Sequence, residues 1–466
     1  MGEIRGMKVA ESNLYLVIDG LAFKVDTSGA KTYLGVLNTT SGPVTMDSNG
    51  SQVMIADGTD GYIITMATEA FQQITDADFP GAGSVTFQDG FFIVNDPGTG
   101  RLYISGSYDG LTWEALEFAT AEADPDDLLR VLSDHREAWC FGSDTTEIYY
   151  NSGDADFPFA RIAGGILEEG IAAAHSAAKV AGTICWLSKK GQVLKVEGYT
   201  PSIISTPQIE YQFAQFSDTS DAIGFGYTKD GHAFYILTFP TDGETWAVDL
   251  STGFWHELES YVDADTRGRW RGQCYAHFNG KHLVGDYTNG KIYELDDAIY
   301  TDNFHSIRRN RRAQSINKNR LKIKHHVLEV EFESGVGVAS NPTADAWSAA
   351  TTYDGDEYCV SGGKYYISLL DNNLNNEPPD ADYWEEIEAD IWTGDDPQAA
   401  LSWSDDGGHT LNTARNKAMG ASAAYSKRAK WKKLKSSIDR VYDLEMVAPV
   451  KTVVISAHLR ATEGAH

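Results

Sequence analysis

The chain has 466 residues, too many for one ordinary core, with 38 Lys and Arg against 67 Asp and Glu, a formal net charge of −29. That deficit of cations disfavours tight nucleic-acid binding by the whole chain, because phosphate contacts need clustered positive charge. No run of 18 apolar residues is present, which excludes a helical membrane span, and Met1-Gly2-Glu3-Ile4-Arg5 carries no apolar signal region, so export by the usual route is not expected.

An aromatic content of 11% with 44 glycines suits short strands and tight turns. The first such figure is Leu14-Tyr15-Leu16-Val17-Ile18, a turn at Asp19-Gly20, then Leu21-Ala22-Phe23-Lys24-Val25. Phe91–Asn95 and Arg101–Ser105 repeat it around Asp96-Pro97-Gly98. The clearest copy runs from Ala138 to Tyr150: Trp139 and Phe141 point one way, Gly142-Ser143-Asp144 turn, and Ile148-Tyr149-Tyr150 returns. Further copies turn at Lys189-Lys190-Gly191 and Asn289-Gly290. Units begin near Met7, Val44, Ser84, Leu128, Lys179, Ala222 and Gly272, a period of roughly 40 to 47 residues. This predicts an all-β fold: a six- or seven-bladed β-propeller over 1–304, with the N-terminal strands completing the last blade. No unit ends in a Trp-Asp signature.

Within it, Ser107–Trp113 resembles the Asp-box turn of sialidase-like propellers, one residue short, and Ser404–Thr410 fits that spacing better. Both read as side-chain ties across a hairpin turn. Gly164-Gly165 through Ile171 lacks the Lys-Ser/Thr of a phosphate loop and reads as an inter-blade loop. Cys140, Cys185, Cys274 and Cys359 are far apart, as expected for free buried thiols in a reducing compartment. His325-His326 is the one close His pair, and neighbouring strand residues face opposite sides, so no metal or other cofactor is expected.

Charge divides the chain. Residues 1–304 are at −26, 305–340 at +5, 341–396 at −13, and 397–466 at +5. The first basic segment holds Arg308, Arg309, Arg311 and Arg312, and the second sets Lys432 and Lys433 beside Trp431. These six are expected to touch an acidic protein surface, its own or a neighbour's, and not DNA. Alternating runs at Val327–Glu333, Ala400–Ser404, Arg440–Met446 and Thr452–Leu459 predict a C-terminal β-sandwich over 305–340 and 397–466.

The segment 341–396 interrupts it. Trp347, Tyr353-Asp354-Gly355-Asp356, Gly363-Lys364-Tyr365-Tyr366, Pro378-Pro379 and Tyr383-Trp384 resemble a small chitin-binding carbohydrate module. The resemblance implies sugar stacking on Tyr366, Tyr383 and Trp384, with host surface polysaccharide as ligand. The competing expectation is that these aromatics form the core of a tiny domain.

Taken in order, Arg5-Gly6, Trp139-Cys140-Phe141-Gly142-Ser143, Thr146–Tyr150, Gly170-Ile171, Tyr425-x-x-Arg428-x-x-Trp431-Lys432, Arg440-Val441 and Ala448-Pro449-Val450 resemble the packaged-DNA stabilisation proteins of short-tailed bacteriophages. The resemblance implies a structural virion protein without catalytic residues, made in the bacterial host cytoplasm. It implies a homohexameric tail hub or nozzle below the portal adaptor, with tail needle or tip and tail fibres or tailspikes as further partners. DNA would pass through the channel without sequence-specific binding. The alternative is a sialidase-like propeller glycosidase, or a lectin, with an appended sugar-binding module. A glycosidase would need paired carboxylates and, in sialidases, three converging arginines.

Overall fold

The computed structural model of the chain describes residues 2–121, 126–155, 157–261, 266–303, 305–333, 346–353, 357–370, 372–387, 397–420 and 428–463. Contacts divide it into two units, Met1–Leu295 and Asp296–His466.

The first unit is a β-propeller built from antiparallel sheets that follow one another along the chain. Their first strands are Ile4–Ala10, Thr45–Ser48, Val85–Gln88, Leu128–Asp134, Ala178–Val180, Ile223–Lys229 and Gly272–Phe278. These starts lie within three residues of the seven read from sequence. Alternation along each sheet's second strand explains why the sheets stack. In Glu137–Gly142, Trp139 and Phe141 pack on Ile184, Trp186 and Leu194 of the fifth sheet. Ala138 and Cys140 from the same strand pack on Ile93, Leu102 and Ile104 of the third. Period-two patterning with both faces apolar is what a sheet between two sheets requires.

The ring closes side chain to side chain. Ile4, Leu14, Leu16 and Ile18 of the first sheet share a buried cluster with Ala276 and Phe278 of the seventh. The expected completion of the last blade by N-terminal strands is corrected here. Ile4–Ala10 pairs with Asn13–Ile18 in its own sheet, and among the described residues the seventh sheet keeps three strands.

First strands are edge strands, with alternate N–H groups facing the next sheet. Short polar side chains of the preceding first strand accept from them. The Val85 N–H donates to Thr45 Oγ1 at 2.9 Å and the Phe87 N–H to Asp47 Oδ2 at 2.8 Å. The Val131 N–H then donates to Ser84 Oγ at 3.0 Å and the Ser133 N–H to Thr86 Oγ1 at 2.8 Å. Arg5 does related work between the first two sheets. It is 2% exposed, and its guanidinium donates to the carbonyls of Gly42, Asp19 and Thr39. Gly6 beside it admits no Cβ, which would sit 2.6 Å from Val44.

Two local expectations change. Gly164-Gly165 is no inter-blade loop but part of the outer strand Phe159–Leu167, where the ladder shifts register between Tyr149↔Arg161 and Glu147↔Ile166. Only Glu168 onward crosses to the next sheet. A helix unforeseen in sequence, Pro207–Phe213, starts from an N-cap at Thr206 and drives Phe213 against Phe239 and Trp255.

In the second unit, Arg309–Arg312, Asp439–Met446, Gln398–Ser404 and Arg415–Ala418 form one sheet. Ile323–Phe332, flanked by Arg428–Lys432 with Ser436-Ser437 on one side and Val454–Glu463 on the other, forms a second. Leu328, Val330, Phe332 and Trp431 of the latter meet Leu401, Trp403, Tyr442 and Met446 of the former in one core. The closing residues 388–396 of the insert, and 341–345 that open it, lie outside the described residues.

Ring closure generates a prediction. Ile4→Ala should destabilise the propeller by about 2–5 kcal/mol, the scale of a truncated core aliphatic. Denaturant unfolding checks it, and an unchanged midpoint would show that the first and seventh sheets do not depend on this contact.

Candidate functional site

The basic residues of the second unit fall into two surfaces with different fates. On the first sheet, antiparallel register sets Arg312 opposite Asp443 and Arg311 opposite Leu444. Arg308 Nε reaches Glu445 at 2.7 Å and Arg312 Nε reaches Asp443 at 2.9 Å. Arg309 Nη1 donates to the carbonyls of Ile307 and Ala448, and burial lowers its pKa. Arg311 is exposed and, among the described residues, has no acid partner. The four arginines expected as one contact patch therefore include three tied to their own unit and one presented outward.

Arg440 underlies both sheets. It is fully buried, forks onto Asp405 at 2.6 and 2.8 Å, donates to the Leu434 carbonyl, and lies over Trp403 and Tyr442. A bidentate carboxylate is what lets a buried guanidinium keep its charge. The adjacent Asp box is as read from sequence. Asp406 accepts from the Thr410 N–H at 2.9 Å and Oγ1 at 2.5 Å, and the Gly408 N–H donates to Ser404 Oγ at 2.9 Å. A bond from the Ser404 hydroxyl, then those from Thr410, hold the Asp406 carboxyl well below the usual carboxylate range.

On the second sheet, the outward row of the Ile323–Phe332 strand and the residue after it reads Val327, Glu329, Glu331, Glu333. Glu329 takes Arg428 and Lys430, Glu331 takes Arg428, and Glu333 takes Lys451. Lys432 and Lys433, both exposed, lie beyond this row and have no acid partner among the described residues.

The insert aromatics need correction. Tyr366 is 4% exposed and Trp384 3%, both in one cluster with Tyr353 and Cys359. Trp384 meets Tyr353 edge to face and donates Nε1–H to the Asn376 carbonyl at 2.7 Å. A ring buried to this degree cannot lay its face on a sugar, so Tyr366 and Trp384 are core residues. Tyr383 is half-buried against them. Asp354-Gly355-Asp356 lies outside the described residues.

In the propeller, a cavity of about 540 Å³ is lined by Glu3, His175, Asp221, Arg269, Gln273 and Tyr287 among others. Arg269 lies over the Tyr287 ring at 3.6 Å and donates to Gln273, which donates to Glu3. Burial, aided by Arg130, drives His175 down to about 3, so its imidazole is neutral. Arg267 and Arg271 turn to separate partners, Glu259 and Asp286, so the three arginines do not converge as a sialidase grip would. Glu244 and Glu257 form a carboxylate pair in hydrogen-bond contact. Burial, then Glu257, raises Glu244 to about 7. The thiols are poor nucleophiles, with burial pushing Cys185 and Cys274 up to about 12 and Cys359 to about 11.

Consecutive sheets around a closed ring define the first unit as a β-propeller. The family described as Bacteriophage P22 Gp10, beta-propeller, matches residues 1–300, and the chain belongs to that family of phage structural proteins. A comparison with curated proteins finds no match. Among solved structures, BamB from Moraxella catarrhalis is similar at 10% identity over 62% of this chain and 81% of that one, with a TM-score of 0.38. The Neurospora crassa Pan2 WD40 domain is similar at 10% identity over 61% and 86%, with a TM-score of 0.39. The extracellular domain of the putative one component system BT4673 from B. thetaiotaomicron is similar at 8% identity over 99% and 57%, with a TM-score of 0.42.

Two predictions follow the geometry. Trp384→Ala should unfold the insert, losing about 3–5 kcal/mol of its stability; sugar affinity lost with the fold intact would contradict the core assignment. For Glu244 the folded pKa lies above the unfolded one, so the folded state binds more protons between the ordinary Glu value and about 7. Stability contributed by this site is greatest below that window and is lost as pH rises through it. Glu244→Gln should therefore raise the thermal midpoint above pH 7 and flatten its fall from pH 5 to 8.

Proposed function

We propose that the chain is the tail hub or nozzle of a short-tailed phage particle. Six copies form a ring below the portal adaptor, close the exit channel after packaging and conduct DNA at ejection. Membership of the phage propeller family over residues 1–300 carries the reading. The charge pattern supports it: a propeller region at −26 repels phosphate over about a Debye length, roughly 8 Å at physiological salt, so DNA passes without being gripped there. In this proposal the arginine surface orients a subunit against an acidic neighbour, in the ring or in the portal adaptor, and gives encounter rate more than affinity. A tail needle or tip and tail fibres or tailspikes complete the assembly. Host polysaccharide contact by the insert would rest on Tyr383.

Micrographs of virions labelled with antibody against this chain should place it on the tail; label elsewhere ends the proposal. The arginine surface is best tested singly, since Arg308 and Arg312 are tied to their own unit. Arg311→Glu should lower the number of tails attached to heads while leaving the unfolding midpoint unchanged. Arg312→Glu, set beside Asp443, should cost stability of about 1 kcal/mol or more. Normal tail attachment by Arg311→Glu particles would remove this surface from assembly. Turnover of sialosides, chitin fragments or host polysaccharide, abolished in Glu244→Gln, would favour the glycosidase instead.

A further inference from the structure

The second basic surface differs from the first in register, backbone and composition. On the Ile323–Phe332 strand, Glu329 stands opposite Lys430 and Glu331 opposite Arg428. The next outward position is Val327, and it stands opposite Lys432 on one side and Arg460 on the other. Two strand spacings separate those cations by about 10 Å of backbone. Cations repeated on that scale suit a ligand whose charges also repeat, a polyanion.

Beyond Lys432 the strand bulges. Lys432 pairs with Val327 and Ser436 with Lys324, so three residues, Lys433, Leu434 and Lys435, face two, His325 and His326. The Lys433 N–H donates to the His326 carbonyl and the His325 N–H to the Lys435 carbonyl. Leu434 is fully buried in the core. Its two neighbours have φ of 58° and 64°, a region that side chains other than glycine and asparagine avoid. The bulge thus anchors one apolar side chain and projects two lysines.

Lys324, His326, Lys432, Lys433, Lys435 and Arg460 line a groove of about 540 Å³ with no Asp or Glu in its wall. Lys432 also lines a second groove of about 460 Å³ that continues to Lys417, again without an acid. Glu463, an acid on the neighbouring strand, is tied to Lys318, and Asp405 to Arg440.

Composition decides the occupant. Protein interfaces are depleted in lysine and enriched in arginine and aromatic residues. Arginine forks onto carboxylate and phosphate alike, whereas lysine binds phosphate as a point charge, which suffices for contact with a repeating backbone that carries no base information. Four lysines with one arginine, and no exposed aromatic ring among the lining residues, fit phosphates. We propose that the face around Lys324, His326, Lys432, Lys433, Lys435 and Arg460 is a sequence-neutral binding surface for the phosphate backbone of nucleic acid. This gives Lys432 and Lys433 a partner other than the acidic protein expected from sequence, and leaves Arg311 for protein contact. It does not depend on where the chain sits in a particle. The chain's net charge of −29 keeps such binding weak and salt-sensitive.

The test uses the full chain and fluorescence anisotropy with two labelled 30-base-pair duplexes of unrelated sequence, titrated from about 30 to 200 mM salt. Both duplexes should bind alike, with a log–log salt slope of about −4, as for roughly four neutralised phosphates. Lys433→Asn with Lys435→Asn removes both charges and keeps a residue that tolerates the left-handed backbone. It should weaken binding about tenfold at low salt and make the slope shallower by about 2. Val327→Glu, an acid set between Lys432 and Arg460, should weaken binding similarly and covers the case in which the bulge variant fails to fold. Lys190→Gln, in the propeller, should change nothing. No binding at 30 mM salt, or equal binding by folded variants, overturns the proposal. Stronger competition by polyglutamate than by unlabelled duplex also overturns it and assigns the face to an acidic protein.

Discussion

Each propeller sheet has two apolar faces, so none is stable until it lies between two others, and the series has no end until the first sheet meets the last. That closure is the constraint on which the first unit rests. Ile4, Leu14, Leu16 and Ile18 supply it from one side, Ala276 and Phe278 from the other. Since Tyr15 and Val17, between them, pack on the second sheet, a one-residue slip of this strand would break two interfaces at once. Closure without a shared strand places more weight on polar ties, among them the bond from Gln273 to Glu3 across the seam. Thr45, Asp47, Ser84 and Thr86 satisfy edge N–H groups of the following strand, and Arg5 gathers three carbonyls from the turns beside it. A buried N–H without an acceptor would cost about 1–3 kcal/mol, so these short side chains are structural, however much they look like a polar channel lining.

The repeat was legible because period-two alternation with turn residues is a local signal. Trp139 and Phe141 on one side of Ala138 and Cys140 needed only the pleat. What sequence could not give was the partner of each polar residue. Arg5 and Arg440 look like surface cations in a linear reading, yet both are buried because distant carbonyls or Asp405 meet them. The helix at Pro207–Phe213 did have a local sign, Thr206 followed by Pro207, but seven residues between two strands gave too little periodicity to weigh against the repeat. The aromatics of the insert were ambiguous for a different reason. A ring that stacks on sugar and a ring that fills a small core have the same spacing, and only the burial of Tyr366 and Trp384 separates them.

The same limit applies to charge. Regional totals of +5 marked two segments correctly as basic, but a total cannot tell a neutralised cation from a free one. Pairing register can. Arg308 and Arg312 meet acids on the adjoining strand, and Arg428 and Lys430 meet Glu329 and Glu331 across the sheet. Exposed pairs of this kind add little stability, about 0–1 kcal/mol each, but they remove charge from the surface and so decide where an outside partner can be attracted.

One position draws that boundary on the second sheet. Alternation presents Val327, Glu329, Glu331 and Glu333 outward in a row, and the three glutamates each hold a cation. Had the row continued with a fourth acid at 327, Lys432 and Arg460 would have been neutralised from the strand between them. A half-buried valine stands there, and just past it the chain adopts a bulge that sets two lysines in a backbone conformation they disfavour. The bulge seats Leu434 in the core, yet the outward valine and the left-handed lysines themselves add nothing to the fold. Both serve to leave positive charge unmatched at one end of a sheet whose other end is balanced, and that asymmetry, more than the count of basic residues, is what marks the surface as one built to meet an anion.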